Sequence, residues 1–169
     1  MGSLVLLDIT NTGMKGRLPD AIGNMTNLQT LYCGLNSFSG ELPPTFRRLS
    51  NLESFECDSN ELSGRIFDVV VQWPKMTNLV IHTNHFSGTI PTEIFKLSKL
   101  TSVQTVLNDF TGSLPSELGL LAAMSVFTWG SSFNATSGSI PIELGNWSNL
   151  GKYRSISWLN SPLRLKLVA

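Results

Sequence analysis

The residues with the clearest potential for acid–base or cation chemistry are Glu56 and Asp58, which are separated by a single residue. Side chains two residues apart point to the same side of an extended strand, so these carboxylates would share one face. Paired carboxylates can transfer protons or bind a cation. His82 follows Asp58 by 24 residues, but His82 and His85 do not form a metal-binding motif. We therefore favour a solvated acidic surface and predict neither a catalytic residue nor a metal site.

The composition excludes several other classes of function. The chain has 169 residues, a formal net charge of zero and 14% charged residues. A nucleic-acid-binding surface concentrates Lys and Arg to neutralise phosphates, so this balance argues against that class. No apolar run approaches the roughly 20 residues of a membrane span, and the first residues lack the basic segment of a signal peptide. Nucleophile elbow, phosphate-loop and Cys-x-x-Cys motifs are absent from the sequence, so we predict a non-enzyme without a cofactor.

Regularly spaced glycines reveal an internal repeat, which must position any site that the chain carries. The string FSGTIP at residues 86–91 recurs as FTGSLP at residues 110–115. Glycines 24 residues apart mark the same point of five repeats: Gly16, Gly40, Gly64, Gly88 and Gly112. The third repeat has Phe67 where the others have proline. A sixth repeat carries a two-residue insertion between Gly130 and Phe133 before the phase resumes.

A second pattern, L-x-x-L-x-L-x-x-N, precedes these glycines. In the second repeat it consists of Leu28, Leu31, Cys33 and Asn36. Alternating apolar residues predict a short strand with one buried face. One repeat cannot bury its apolar side alone, but stacked repeats bury a continuous core. We therefore expect parallel strands about 4.8 Å apart, one from each repeat.

Together these motifs resemble the leucine-rich-repeat family, and the S-G-x-I-P string is similar to its plant-type subclass. The resemblance implies an α/β solenoid: a right-handed superhelix with a parallel concave β-sheet and a convex side of 3₁₀ or irregular turns. We expect a solenoid domain over residues 1–154 and a divergent C-terminal tail over residues 155–169. The repeat starts in phase without a recognisable cap, as expected for a segment of a longer array.

The resemblance also implies a structural role for the asparagine that ends each strand pattern. Its amide would bond to backbone groups of its own coil and of the adjacent coil. The predicted ladder consists of Asn36, Asn60, Asn84, Asn108 and Asn134. After the ladder we expect an internal column of Phe38, Leu62, Phe86 and Phe110. Inward packing from the convex side is expected of Ile22, Phe46, Ile94, Leu118 and Leu144.

Two further sets of residues could carry covalent modifications. Cys33 and Cys57 occupy the same inward position in consecutive repeats, with Cα atoms close enough for a disulfide. Both replace core leucines, so we favour two buried free thiols. Three N-x-[ST] sequons begin at Asn24, Asn134 and Asn146. Glycosylation is predicted at Asn24 and Asn146, which fall at the same repeat phase on the convex side, whereas Asn134 is a ladder residue.

The exposed positions of the concave strands are the ones that a ligand would meet. The predicted contact residues are Tyr32, Leu35, Glu56, Asp58, Val80, His82, Gln104, Val106 and Thr128. An exposed aromatic or apolar residue among polar neighbours can anchor a partner. An ordinary solvated surface without a partner is the alternative. Proteins with this resemblance bind ligands on the concave face, which favours the first interpretation.

The resemblance implies the ligand-recognition part of an extracellular, glycosylated receptor-like protein in signalling or defence, attached to the cell surface through a longer parent protein. Its partner would be a protein or peptide on the concave face, with no nucleic acid and no membrane span within this chain. The first alternative is a soluble extracellular inhibitor of a hydrolase, resembling the polygalacturonase inhibitors. The second is a surface-binding protein, such as an ice binder, that uses regular columns of Ser and Thr.

Overall fold

The computed structural model describes residues 3–130 and 141–146. Strands β1 to β11 are Leu6–Asp8, Lys15–Gly16, Thr30–Tyr32, Ser37–Glu41, Ser54–Glu56, Glu61–Gly64, Asn78–Val80, His85–Gly88, Ser102–Gln104, Asp109–Phe110 and Val126–Thr128. Strands β1, β3, β5, β7, β9 and β11 form a parallel six-stranded sheet in that order. The predicted α/β solenoid is therefore confirmed, with one strand of this sheet in each successive coil.

The register of the six-stranded sheet follows the sequence repeat. Leu7 pairs with Leu31, Leu31 with Phe55 and Phe55 with Leu79, so equivalent residues of neighbouring coils lie side by side. The ladder extends past the strands, because the amide of Cys33 donates to the carbonyl of Glu56 at 2.7 Å. Each repeat position thus becomes a column across the sheet, and the exposed columns form the concave face.

A second parallel sheet follows the concave one, and the sequence did not predict it. Strands β2, β4, β6, β8 and β10 pair in sequence order. Gly40 pairs with Leu62 and Gly64 with Phe86, an offset of 22 residues rather than 24. The S-G segments of successive coils therefore pair with one another before the chain reaches the convex side.

The convex side consists of 3₁₀ helices in every described coil except the third. They span Asp20–Asn24, Pro44–Arg48, Thr92–Lys96, Ser116–Leu120 and Ile142–Asn146. In the third coil, an α-helix, α1, spans Phe67–Val70. Ile66 adopts a helical backbone conformation there, which a following proline would disfavour. The replacement of proline by Phe67 therefore permits the chain to enter an α-helix directly.

The core runs continuously along the solenoid. The predicted inward residues of the convex side and the predicted internal column are all at most 5% exposed: Ile22, Phe46, Ile94, Leu118, Leu144, Phe38, Leu62, Phe86 and Phe110. Phe67 adds an aromatic cluster that the repeat pattern did not predict. Its ring centroid lies 5.3 Å from that of Phe110 and 6.4 Å from that of Trp129. Phe110 and Trp129 are stacked at 4.9 Å.

Cys33 and Cys57 form a disulfide between adjacent coils, and the described residues contain no free cysteine. The expectation of two free thiols was therefore wrong. Their Cα atoms lie 4.6 Å apart, within the range that a disulfide requires, because the two residues share one column of the parallel sheet. Complete burial of both side chains, which favoured the thiols, is equally compatible with a bridge.

Several predictions fall outside the described residues. They include the end of the solenoid at residue 154, the tail over residues 155–169, Asn134, and the insertion beyond Gly130. Within residues 3–130 and 141–146, no helix is long and apolar enough to cross a membrane.

Candidate ligand-binding face

Asparagine side chains fix the turns that follow four of the six strands of the concave sheet, β3, β5, β7 and β9. The amide of Phe38 donates to Asn60 Oδ1 at 2.9 Å, and Asn60 Nδ2 donates to the carbonyl of Cys33 at 3.0 Å. Asn84 and Asn108 accept in the same way from Leu62 and Phe86, each at 2.9 Å. These bonds satisfy polar backbone groups that burial would otherwise leave without water, and they fix the turn after each strand.

Asn36, in the second coil, makes the equivalent bonds in a more exposed setting. Its Nδ2 donates to the carbonyl of Ile9 at 2.8 Å, and its Oδ1 accepts from the amides of Thr12 and Met14, each at 3.1 Å. Asn36 is half-buried, whereas Asn60, Asn84 and Asn108 are buried. The first coil therefore leaves this end of the ladder accessible to water.

The residue before each described ladder asparagine adopts a left-handed backbone conformation, and so does Asn11 at the equivalent position of the first coil. The φ angles are 53° to 59° for Asn11, Leu35, Ser59, Thr83 and Leu107. The amide of Leu35 donates to the carbonyl of Asp58 at 3.0 Å, and this type of bond recurs along the column and holds the conformation. Leucine is a poor choice for such a position, because its Cβ crowds the following carbonyl. Leu35 and Leu107 are nevertheless there, 54% and 40% exposed.

Glu56 is held in place at the centre of the concave face. Asn78 Nδ2 donates to Glu56 Oε1 at 2.7 Å and to Ser54 Oγ at 3.2 Å. The hydroxyl of Ser54 also donates to Glu56 Oε1, at 3.4 Å. This carboxylate therefore has a fixed position before any ligand arrives. Neither Asn78 nor Ser54 was among the predicted contact residues, although each begins a strand of the concave sheet.

Asp58 lies beside Glu56, one column further along. Ser59 Oγ donates to Asp58 Oδ2 at 3.1 Å, and His82 Nε2 lies 3.8 Å from the same oxygen. In the neighbouring coil, a Cβ added to Gly34 would lie 2.7 Å from Asp58 Oδ1. Gly34 therefore provides the space that the Asp58 carboxylate occupies. Together, Glu56, Asp58 and His82 form one polar centre on the concave face.

The other predicted contact residues line the same face, with one correction. Tyr32, Gln104, Val106 and Thr128 are half-buried. Val80 is only 8% exposed, so the expectation that it presents a contact surface was wrong. Val80 pairs in register with Glu56 on one side and Gln104 on the other, and these longer side chains flank it.

Charge is distributed unevenly between the two sides of the solenoid. The concave columns carry Asp8, Glu56 and Asp58 but no Lys or Arg among the described residues. The described basic residues lie on the second sheet or the convex side: Lys15, Arg17, Arg47, Arg48, Arg65, Lys75, Lys96 and Lys99. The net charge of zero conceals this segregation, which a column-by-column count of the repeats reveals.

At one end of the face, hydrogen bonds from the amide and the hydroxyl of Thr10 lower the pKa of Asp8.

A metal site and a small-molecule pocket have less support in the described residues than a ligand site on the concave face. No group of three His, Cys, Asp or Glu within residues 3–130 and 141–146 could hold a metal ion. A shallow pocket of about 200 Å³ lies away from the concave face, and its lining includes Leu42, Arg47, Arg65 and Asp68. Arg65 Nε lies 3.6 Å from Asp68 Oδ2. Because these opposite charges pair with each other, they offer little net charge to a ligand.

Comparison with known proteins agrees with this geometry. Residues 27–49 match the family model for the Leucine Rich Repeat. The structure is similar to the ectodomain of the Arabidopsis thaliana membrane receptor kinase GASSHO1/SCHENGEN3 in complex with CASPARIAN STRIP INTEGRITY FACTOR 2, with a TM-score of 0.77 and 28% identity over 88% of this chain and 18% of that one. No curated protein sequence matches the chain significantly.

Two further solved structures are also similar. The Arabidopsis receptor kinase HAESA, in complex with the peptide hormone IDA and the co-receptor SERK1, has a TM-score of 0.73 and 32% identity over 80% of this chain and 22% of that one. The PEPR1–AtPEP1 complex has a TM-score of 0.75 and 28% identity over 86% of this chain and 24% of that one. The chain spans about a fifth of the length of the receptor ectodomains that it matches. The predicted resemblance is therefore confirmed: the chain has a leucine-rich-repeat solenoid fold and is similar to the ectodomains of plant receptor kinases.

Proposed function

We propose that this chain is a recognition module that binds a protein or peptide ligand on its concave face. The observation that carries the proposal is the mixed character of that face, where exposed Leu35 and Leu107 flank a fixed polar centre. Apolar anchors surrounded by polar groups are typical of protein-binding surfaces. The similar receptor ectodomains were solved with the peptide hormone IDA or with AtPEP1, which supports a peptide as the partner.

The proposed contact residues are Tyr32, Leu35, Glu56, Asp58, His82, Gln104, Val106 and Thr128. Their columns offer an open, continuous surface rather than a closed cavity. A small molecule is bound best by a concave pocket that surrounds most of its surface. A long, open row of side chains is better suited to an extended chain that contacts several coils at once.

Peptide display tests the proposal, because the selection itself supplies a ligand. The full chain is immobilised, random peptides are selected on it, and one enriched peptide is titrated by calorimetry. We expect the combined variant Tyr32→Ala, Gln104→Ala and Val106→Ala to weaken binding at least about tenfold, because it removes three concave contacts. The matched control replaces Arg47, Lys96 and Lys99 by Ala on the convex side, where binding should not change. Equal binding by the concave variant and the wild type would refute the concave site.

We further propose that the module belongs to a longer cell-surface, receptor-like protein in signalling or defence. Its short span relative to the matched ectodomains supports this. The full transcript tests it: a downstream apolar segment of about 20 residues followed by kinase motifs would support a receptor. A transcript that encodes a secretion signal and no membrane span would instead favour a soluble inhibitor of a hydrolase.

An extracellular location would also expose two sequons to glycosylation. Asn24 is exposed on the convex side, where Arg48 Nη1 donates to its Oδ1 at 3.1 Å, and we propose Asn24 and Asn146 as glycan sites. A glycan at Asn24 would leave the concave face free. Deglycosylation of the protein secreted by plant cells should reduce its mass, and Asn24→Gln should remove part of that change.

Ice binding is a weaker alternative. The solved plant ice-binding protein that resembles this chain is 24% identical to it, so the likeness concerns the fold. The columns of this chain are irregular: the column of Tyr32 continues with Glu56, Val80 and Gln104. Thermal hysteresis of the freezing and melting points of a solution of the protein would distinguish ice binding from ligand recognition. We expect no thermal hysteresis.

A further inference from the structure

We infer that the ligand of the concave face is an extended peptide with the pattern apolar-x-basic-x-apolar, in which the basic residue binds Glu56 and Asp58 while the two apolar residues contact Leu35 and Leu107. The inference rests on the proposed function, because it specifies the chemistry of a ligand for the same face. It names a partner class that differs from a neutral or acidic peptide.

The first support is the spacing of the two exposed leucines. Leu35 and Leu107 stand in the same column, with Ser59 and Thr83 between them. Neighbouring strands of a sheet lie about 4.8 Å apart, so three coil steps separate the leucines by about 14 Å. An extended peptide advances about 3.4 Å per residue, and alternate side chains share a face. Its first and fifth residues therefore reach both leucines from the same side.

The second support is the position of the carboxylates between the leucines. Asp58 adjoins Ser59, so it lies one coil from Leu35 and two coils from Leu107. The third residue of the same peptide would lie between the coil of Ser59 and the coil of Thr83, close to Asp58 and His82. Glu56 lies two residues earlier along the strand, within reach of a long Lys or Arg side chain. The central peptide residue is thus the one that meets negative charge.

The third support is the charge segregation across the solenoid. The described concave columns offer a ligand carboxylates and no Lys or Arg, so a cationic peptide would find attraction without a competing Lys or Arg side chain. Complementary charges favour association and discriminate against partners of the wrong sign. The bonds from Asn78 and Ser54 hold Glu56 in position, so binding need not immobilise that side chain.

The column between the leucines suits the remaining peptide residues. The hydroxyl oxygens of Ser59 and Thr83 can accept hydrogen bonds from the N–H groups of a peptide backbone. Neither side chain is large enough to block an extended chain that crosses the strands. The second and fourth residues of the pattern would point away from the protein, so their identity is left open in the pattern.

Sequencing of the peptides selected on the full chain tests the inference. Enriched peptides should contain Lys or Arg with an apolar residue two positions before it and two positions after it. One such peptide is then titrated against Glu56→Gln/Asp58→Asn, against Leu35→Asn/Leu107→Asn, and against the control Glu93→Gln/Glu117→Gln on the convex side. We expect each concave variant to weaken binding about tenfold or more, and the control to leave it unchanged. Salt should weaken wild-type binding more than binding by Glu56→Gln/Asp58→Asn.

The outcomes separate the inference from the proposed function. Enriched peptides without the basic residue, whose binding still depends on Leu35 and Leu107, would overturn the inference and leave the proposed function intact. Enriched basic peptides that bind the double carboxylate variant as tightly as the wild type would also overturn it. Peptides insensitive to every concave variant, or a selection without enrichment, would overturn both.

Discussion

Trp73 donates its indole N–H to the carbonyl of Phe46 in the preceding coil, at a distance of 2.9 Å. Both residues are fully buried, so the bond satisfies a carbonyl that water does not reach. Trp129 is equally buried, but its Nε1 has no hydrogen-bond partner among the described residues. The two tryptophans are therefore equally buried and differ in hydrogen bonding.

The first prediction compares Trp73→Phe with Trp129→Phe. Both changes remove the same atoms from a buried site, but only the first leaves the carbonyl of Phe46 unsatisfied. Trp73→Phe should therefore lower the free energy of unfolding by about 1–2 kcal/mol more than Trp129→Phe. Urea unfolding followed by circular dichroism measures both. Equal losses would show that the indole bond contributes nothing to stability.

The second prediction concerns the asparagine ladder. Asn60→Ala removes the partner of the Phe38 amide and one of the two asparagine donors to the Cys33 carbonyl, and should cost about 3 kcal/mol of unfolding free energy because the turn is buried. Asn36→Ala removes equivalent bonds where water can replace them, and should cost about 1 kcal/mol. The same urea experiment tests the difference. A larger loss for Asn36→Ala would contradict the role assigned to burial.

The third prediction concerns the left-handed leucines. Asn tolerates this conformation better than Leu, so Leu35→Asn and Leu107→Asn should each raise the free energy of unfolding by about 0.5–1 kcal/mol. Leu120 is 70% exposed without a positive φ, so Leu120→Asn should give no such gain. A loss of binding by the stabilised variants could then not be attributed to misfolding. If both Leu35→Asn and Leu107→Asn lowered the free energy of unfolding, the proposed backbone strain at these two leucines would be refuted.

The fourth prediction concerns the disulfide. Alkylation of denatured protein without reductant should leave Cys33 and Cys57 unmodified, and reduction should expose both to the reagent, as mass spectrometry would show. A bridge that closes a loop of this length should contribute about 3 kcal/mol to stability. Cys33→Ser/Cys57→Ser should therefore unfold at a lower temperature. Complete alkylation without reductant would contradict the bridge.

The repeat in the sequence was sufficient to predict the concave sheet. Because each strand pairs with the equivalent residues of the next coil, Leu31 and Phe55 align without any further information. The buried convex positions, such as Phe46, follow from the same period. Alternation within each strand likewise placed Glu56 and Asp58 on one face.

Other features depend on contacts that the period does not encode. The second sheet pairs Gly40 with Leu62, an offset that depends on the path of the chain between the two sheets. Val80 is buried because its neighbours in register have longer side chains, and only their conformations reveal this. The hydrogen bond between Asn78 and Glu56 joins residues at different repeat positions, so the repeat period does not predict it. The choice between thiols and a disulfide at Cys33 was open because both states are compatible with a buried position.

Site-specific photo-crosslinking tests directly whether the concave face binds a peptide. A photo-reactive amino acid is introduced in place of Leu35, Leu107 or, as a convex control, Leu120, and each protein is irradiated with a selected peptide. We predict crosslinks from positions 35 and 107, to peptide residues four positions apart, and none from position 120. Crosslinks from position 120 alone, with none from positions 35 and 107, would contradict a concave recognition site.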